Sequence, residues 1–142
     1  MRLFSCLGVV LGLTVSPLVQ AAGQKLASVE VTVEGDSALA AAAGIRTLYI
    51  SVFDSESKMP RPYGSIQVKL QADAKGSIYK GDLTLDNIQV MGDKASVPKK
   101  LRLKARLDKN GAGGMDQPGD VVGSVDDVNV GDTAKIVINK KI

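Results

Sequence analysis

The chain has 142 residues and a formal net charge of +3, from 18 basic and 15 acidic side chains. This length fits one domain, and the near balance of charge argues against a nucleic-acid-binding protein. The sequence has no histidine, no tryptophan and a single cysteine, Cys6. Catalysis by an imidazole base is therefore excluded, and composition favours a binding or structural role.

The N-terminal segment has the three parts of a secretory signal peptide. Arg2 supplies an early positive charge, an apolar run extends from Leu3 to Val15, and small residues precede a cleavage site at Ala21. The apolar run is shorter than the ~20 residues of a spanning helix, so we predict a signal peptide over residues 1–21 and no stable membrane insertion after cleavage. The mature domain, residues 22–142, is then periplasmic and has no cysteine, so it folds without disulfides.

Strand patterns fill the first half of the mature domain and surround one short helical turn. Alternating apolar residues predict strands over residues 26–33 and 65–70. Residues 47–53 alternate as well, with Tyr49 and Phe53 on the face opposite the core. Because both faces of this segment are largely apolar, it predicts a central strand. Between the strands over residues 26–33 and 47–53, Asp36-Ser37 is suited to cap a short alanine-rich helix that ends before Gly44.

The pattern changes further along the chain. Apolar residues between Ile78 and Val90 change parity at Asp86-Asn87, which predicts a bulge or a kink at that point. Residues 91–98 then predict a loop before the next strand.

The most regular pattern of the chain begins at Lys99. Its apolar residues alternate strictly with charged residues: Leu101, Leu103, Ala105 and Leu107 against Arg102, Lys104, Arg106 and Asp108. A period of two predicts a strand with one buried face and one solvated, charged face. Asn110-Gly111 follows and predicts a tight hairpin turn, because both residues tolerate positive φ.

The C-terminal part contains a second turn and the last strands. Residues 117–120, Gln-Pro-Gly-Asp, predict a type II turn. Strands follow over residues 121–130 and 134–138, and residues 139–141 form a polar tail. About seven to eight short strands with regular turn signals predict an all-β fold, an antiparallel sandwich or barrel with one short helical turn.

Four aspartates in this part offer a carboxylate pair or oxygen ligands for Ca²⁺. They are Asp116, Asp120, Asp126 and Asp127. Their spacing matches no calcium-loop template, and aspartates in turns usually accept backbone N–H bonds. We therefore predict no metal, no cofactor and no catalytic residue.

The charged face of the regular strand carries a basic stripe, which consists of Lys100, Arg102, Lys104 and Arg106. One interpretation is that the basic stripe docks an anionic partner. The other is that it is a solvated face that discourages edge-to-edge aggregation. Binding of nucleic acid would require aromatic residues between the cations, and none is present.

An ordered set of short segments is spread over the mature domain: Val52-Phe53, Met59-Pro60, Thr84-Leu85-Asp86, Ala105-Arg106, Lys109-Asn110-Gly111 and Gln117-Pro118-Gly119-Asp120. In this order they resemble the C-terminal periplasmic domain of the CcmI/CycH c-type cytochrome biogenesis family. The resemblance implies an immunoglobulin-like β-sandwich that is not an enzyme. It also implies a protein partner, either apocytochrome c or a component of the haem-ligation machinery.

The sequence thus predicts a non-enzymatic periplasmic module that binds a protein partner, in c-type cytochrome maturation according to the resemblance. The candidate contacts are Met59, Pro60 and the basic stripe. The alternative is a general periplasmic structural or adhesion module with the same fold and no link to cytochrome assembly, since a fold does not determine a function.

Overall fold

The structure is a computed structural model that describes residues 23–58 and 61–142. The predicted signal peptide and the Met59-Pro60 turn lie outside these residues. In the two described ranges, no helix is long and apolar enough to cross a membrane.

The described residues form nine strands and one short helix. In chain order these are β1 (Lys25–Val33), α1 (Asp36–Ala42), β2 (Thr47–Asp54), β3 (Gly64–Lys69), β4 (Gly76–Thr84), β5 (Gln89–Val90), β6 (Lys100–Asp108), β7 (Val121–Asn129), β8 (Thr133–Ile138) and β9 (Lys140–Lys141). The prediction of an all-β fold with one short helix is confirmed, and its immunoglobulin-like type stays a prediction.

The strands form two sheets. One has three strands in the order β4-β1-β8, and the other has six in the order β5-β3-β2-β6-β7-β9. β2 pairs with β3 on one side and β6 on the other, as predicted for a central strand. The β1–β8 pair is parallel, which a purely antiparallel prediction does not include. The chain leaves β7 in the six-stranded sheet and crosses to the three-stranded sheet, where β8 runs beside β1 in the same direction.

The core lies between the two sheets and follows the alternation of the sequence. On β6 all four apolar residues of the regular strand are fully buried, which confirms the predicted face. β2 in the same sheet and β1 and β8 in the facing sheet contribute buried residues at the same period: Leu48, Ile50 and Val52 from β2, Val29, Val31 and Val33 from β1, and Ile136 and Ile138 from β8. Burial of this apolar surface is the main source of stability for a domain of this size.

Two local predictions for the part of the chain before β6 differ from the structure. The N-cap of α1 is Gly35, with φ 96°, and no side chain caps the helix, so Asp36-Ser37 does not have the predicted role. Asp36 instead lies in the first turn, where its charge favours the positive end of the helix. The parity change at Asp86-Asn87 marks a turn between β4 and β5, where the chain passes from one sheet to the other.

Two further differences lie near the C-terminal end. Asn110-Gly111 does not form a tight hairpin turn; it belongs to a longer loop over residues 109–120, which connects β6 and β7. In that loop Asp120 N–H donates to the Gln117 carbonyl at 3.0 Å and Gly119 has φ 97°, as a type II turn requires. The predicted polar tail joins the six-stranded sheet, because residues 140–141 form β9 against β7.

Candidate functional site

The outer face of the six-stranded sheet carries aromatic and basic side chains in register. β2 and β6 place Tyr49 opposite Arg106 and Phe53 opposite Arg102. The guanidinium carbon of Arg102 lies 4.5 Å from the centre of the Phe53 ring, and that of Arg106 lies 5.3 Å from the centre of the Tyr49 ring. Both are cation–π distances, so each aromatic ring is held in place by an arginine of the adjacent strand.

Arg106 is buried, although the alternation predicts that the charged face of its strand is solvated. Its side chain is 11% exposed, and its guanidinium makes three hydrogen bonds. Nη1 donates to the Gly114 carbonyl at 2.6 Å and to Asp116 Oδ1 at 3.3 Å, and Nη2 donates to Asp108 Oδ2 at 3.2 Å. Asp108 is also buried. The prediction of a fully solvated face is therefore wrong for these two residues, because the loop over residues 109–120 folds back across them.

Lys104 is also engaged within the chain. Its Nζ lies 2.5 Å from Asp116 Oδ2, and both side chains are less than one third exposed. Lys100 and Arg102 are exposed and have no carboxylate partner among the described residues. The free positive charge of the basic stripe is thus confined to its first half.

Two buried aspartates fix the loop over residues 109–120. Asp108 accepts backbone hydrogen bonds from Asn110 at 3.1 Å and from Gly111 and Gly113 at 3.0 Å. Asp120 accepts two more, from Lys109 and Gln117. These are the local side-chain-to-backbone bonds expected for aspartate in turns.

The aspartates considered as a carboxylate pair or Ca²⁺ ligands are divided between two places. Asp116 and Asp120 belong to the loop and lie beside Arg106. Asp126 and Asp127 lie on β7, where Asp127 has φ 56° and accepts a hydrogen bond from Ser55 Oγ at 3.1 Å. Within residues 23–58 and 61–142 no group of three or more acidic, cysteine or histidine side chains is arranged to hold a metal ion.

The fixed loop and the outer face border an open cleft of about 630 Å³, here called the methionine cavity. Its lining includes Tyr49, Phe53, Pro62, Met91 and Met115. Met91 is 61% exposed and Met115 is 86% exposed, and together with the two aromatic rings they form an apolar patch of the kind that marks interaction sites.

A second cavity of about 750 Å³ adjoins the first and shares Phe53, Lys104 and Asp116 with it. We call it the seam cavity, because it lies between β7 and the segment from β8 to Ile142. Ile142 is the third exposed large apolar residue of the described chain and lines the seam cavity. The exposed apolar side chains thus converge on one continuous surface.

The sequence prediction identified part of this surface. Tyr49 and Phe53 were expected opposite the core face of their strand, and they line the methionine cavity there. Met59 and Pro60 lie outside the described residues, but Pro62 reaches the cavity. Met91 and Met115 were not predicted as site residues. Each lies in a polar loop that contains glycine, and an apolar methionine in such a loop can be recognised in the sequence as a candidate contact.

Asp116 connects the loop to the sheet through its charge. Burial acts to raise the pKa of Asp116, but hydrogen bonds and charge from Lys104 and Arg106 outweigh this effect and lower the pKa below its ordinary value of 3.8. Because the folded-state pKa is lower than the unfolded-state value, ionised Asp116 stabilises the fold above about pH 3.8. This contribution is lost as the pH falls through the lower, folded-state pKa.

We therefore expect the loop to keep its position between pH 5 and 8 and to lose the Asp116 contact only in stronger acid. An NMR titration of the Asp116 carboxyl checks this, with a midpoint expected below 3.8. Lys104→Met should raise that midpoint, whereas Lys94→Met, at an exposed loop residue, should leave it unchanged. A midpoint that does not respond to Lys104→Met would contradict the assignment.

Comparisons of the chain with protein-family models, with curated proteins and with solved structures return no match. Function is therefore inferred from the chemistry of this surface, and the resemblance to the CcmI/CycH family stays a prediction.

Proposed function

We propose that this chain is a non-enzymatic module that binds a segment of a protein partner at the methionine cavity. The observation that carries the proposal is the convergence of Met91 and Met115 with two aromatic rings on the outer face of a sheet. Aromatic residues, methionine and arginine are the residue types enriched at protein interfaces. Methionine side chains also adapt to irregular apolar surfaces, which suits binding of a flexible segment.

The surroundings of the methionines favour binding because they are already ordered. Tyr49 and Phe53 are held by arginines, and Met115 lies on a loop fixed by Asp108 and Asp120. A preorganised surface loses less conformational entropy when a partner binds, so more of the contact energy appears as affinity.

For the biological process, we propose c-type cytochrome maturation in the periplasm, with apocytochrome c or a haem-ligation component as partner. The support for this step is the ordered resemblance to the CcmI/CycH domain together with the signal-peptide pattern. The competing proposal is a general periplasmic structural or adhesion module. The two differ in which proteins the chain binds.

The double substitution Met91→Ser/Met115→Ser tests the binding site. Because both side chains are exposed, the free energy of unfolding should change by less than about 0.5 kcal/mol. Recovery of the partner from periplasmic extract should fall by about tenfold or more, as expected for the loss of central interface contacts. The measurement is a pull-down quantified by mass spectrometry.

The matched control is Ala72→Ser/Ala95→Ser, two exposed residues that line neither cavity. Equal recovery by the methionine variant and the control would contradict the proposed site. Enrichment of apocytochromes or haem-ligation proteins by the wild-type chain supports the cytochrome proposal. Enrichment of envelope structural proteins alone supports the alternative.

A further inference from the structure

A row of polar side chains crosses the methionine cavity. Strand pairing places Gln89 of β5 opposite Ser65 of β3, Ser65 opposite Ser51 of β2, and Ser51 opposite Lys104 of β6. Residues paired in this way project their side chains from the same face of a sheet, and all four line the cavity. We call these four residues the polar row, and it runs across the strands rather than along them.

Aromatic rings flank the polar row on both sides. Tyr49 and Phe53 lie two residues before and two residues after Ser51, on the same face of β2. Both rings are held by arginines, and the Tyr49 hydroxyl also accepts a hydrogen bond from Gln67 Nε2 at 3.1 Å. A segment that lies along the polar row therefore has a fixed ring on each side and small serine side chains beneath it.

The charged side chains that line the methionine cavity neutralise one another. They are Lys104, Arg106 and Asp116. Asp116 pairs with both cations, and Arg106 also pairs with the buried Asp108. Among the described residues of the lining, no charge is left without a partner of opposite sign, so the complementary ligand is a neutral segment.

The polar row instead offers neutral hydrogen-bond donors. The side chains of Ser51, Ser65 and Gln89 have no hydrogen-bond partner within residues 23–58 and 61–142. Each carries a hydroxyl or amide group that can donate to a carbonyl oxygen. The carbonyls of an α-helix are bonded within the helix, whereas those of a polyproline II segment have no internal partner and accept bonds from outside.

The spacing of these donors matches the repeat of polyproline II. Neighbouring strands lie about 4.8 Å apart, so Gln89 and Ser51, which are two strands apart, are separated by about 9.6 Å. Polyproline II repeats every three residues, or about 9.3 Å, so carbonyls three residues apart face both donors. An extended β-strand repeats every two residues, or about 6.8 Å, and does not match this spacing.

We propose that the methionine cavity recognises a neutral, proline-rich segment in the polyproline II conformation, which lies along the polar row and crosses β5, β3 and β2. Carbonyls three residues apart accept hydrogen bonds from Gln89 and Ser51. The proline rings pack between Tyr49 and Phe53, as such segments do in aromatic-lined grooves. This inference rests on the function proposed above and names the class of segment that the module binds.

The probe for the test is acetyl-hexaproline-amide, titrated into the ¹⁵N-labelled mature protein. The amide signals of Ser51, Ser65 and Gln89 should shift. The neutral peptide acetyl-Thr-Val-Thr-Val-Thr-Val-amide favours an extended strand and should bind about fivefold more weakly, as expected for the loss of one hydrogen bond. Equal binding of the two peptides, or no shift at millimolar hexaproline, would overturn the proposal.

The salt dependence of hexaproline binding tests the neutrality of the segment. Affinity should change by less than about twofold between about 0.05 and 0.5 M NaCl, because no unpaired charge of the cavity contributes. A tenfold loss over this range would show that free charge drives binding and would contradict the assignment.

Ser51→Ala/Gln89→Ala tests the donors on the protein side. Both residues lie outside the core, so the domain should stay folded by circular dichroism, and hexaproline binding should weaken about tenfold through the loss of two hydrogen bonds. The matched control is Ser77→Ala/Gln71→Ala, an exposed serine and glutamine that line neither cavity. Equal binding by the two variants would overturn the role of the polar row.

The partner pull-down separates this inference from the function on which it rests. Loss of recovery with Met91→Ser/Met115→Ser but not with Ser51→Ala/Gln89→Ala would keep the binding site and overturn the polyproline II segment. Loss with both variants, together with competition by hexaproline, is the result that we expect. Full recovery by both variants would contradict the binding site and the segment alike.

Discussion

Gly123→Ala is expected to lower the free energy of unfolding by about 3 kcal/mol, the upper part of the range for overpacking a core. A Cβ on Gly123 would overlap the Val137 carbonyl oxygen and lie 2.5 Å from the Val137 carbonyl carbon and 2.9 Å from Ile138 Cα. These are backbone atoms, so no side-chain rotation relieves the overlap. Either β7 or β8 must shift, and each is hydrogen-bonded to another strand.

The position of Gly123 explains why this contact is so close. β8 belongs to the three-stranded sheet, but the chain immediately after it joins the six-stranded sheet as β9. The backbone must therefore approach β7 closely as it passes from one sheet to the other, and glycine permits that approach.

Urea denaturation of the wild type and two alanine variants measures this effect. The control is Gly92→Ala, because a Cβ there meets no atom within 4 Å and its backbone is not in the left-handed region. That substitution should be neutral or stabilise by up to about 1 kcal/mol through the unfolded state. Similar midpoints for the two variants would show that β7 and β8 do not approach each other at Gly123.

Strand faces could be predicted from the sequence because they depend on local alternation. Leu101, Leu103 and Leu107 follow a period of two, and that period alone sets which side of the strand they occupy. The same reasoning identified Tyr49 and Phe53 as residues of the outer face. Each of these predictions depends on spacing within one strand.

Features that depend on pairing between distant segments could not be predicted in this way. Alternation assigns Arg106 to the outer face, but it does not indicate that the following loop returns across that face and buries it. The close approach at Gly123 depends on the path of β8, and β5 joins a different sheet from β4. A local signal did exist at Asp108, which precedes Asn110-Gly111, because aspartate at a strand end often accepts the N–H groups of the next turn.

The burial of Asp108 leads to the second large effect. Its side chain is 2% exposed. Oδ1 accepts hydrogen bonds from the N–H groups of Asn110 and Gly111, and Oδ2 accepts them from Gly113 N–H and Arg106 Nη2. Asp108→Asn keeps the size of the side chain but replaces one carboxylate oxygen, which accepts two hydrogen bonds, with an NH₂ group. Because an NH₂ group donates and does not accept, the two donors that face it lose their acceptor. We expect a loss of about 3–5 kcal/mol, the range for removing one partner of a buried ion pair.

Urea denaturation measures the loss, and hydrogen exchange of the Gly113 amide reports on the loop. The control is Asp73→Asn, because Asp73 pairs with Arg46 at 3.1 Å, close to the 3.2 Å of the buried pair, but the two side chains are 69% and 48% exposed. That change should cost less than about 1 kcal/mol. Equal costs would mean that burial adds nothing to the strength of the Asp108 contacts. Met115 lies on the same loop and lines the methionine cavity only while the loop keeps its position. Asp108→Asn should therefore also weaken partner binding.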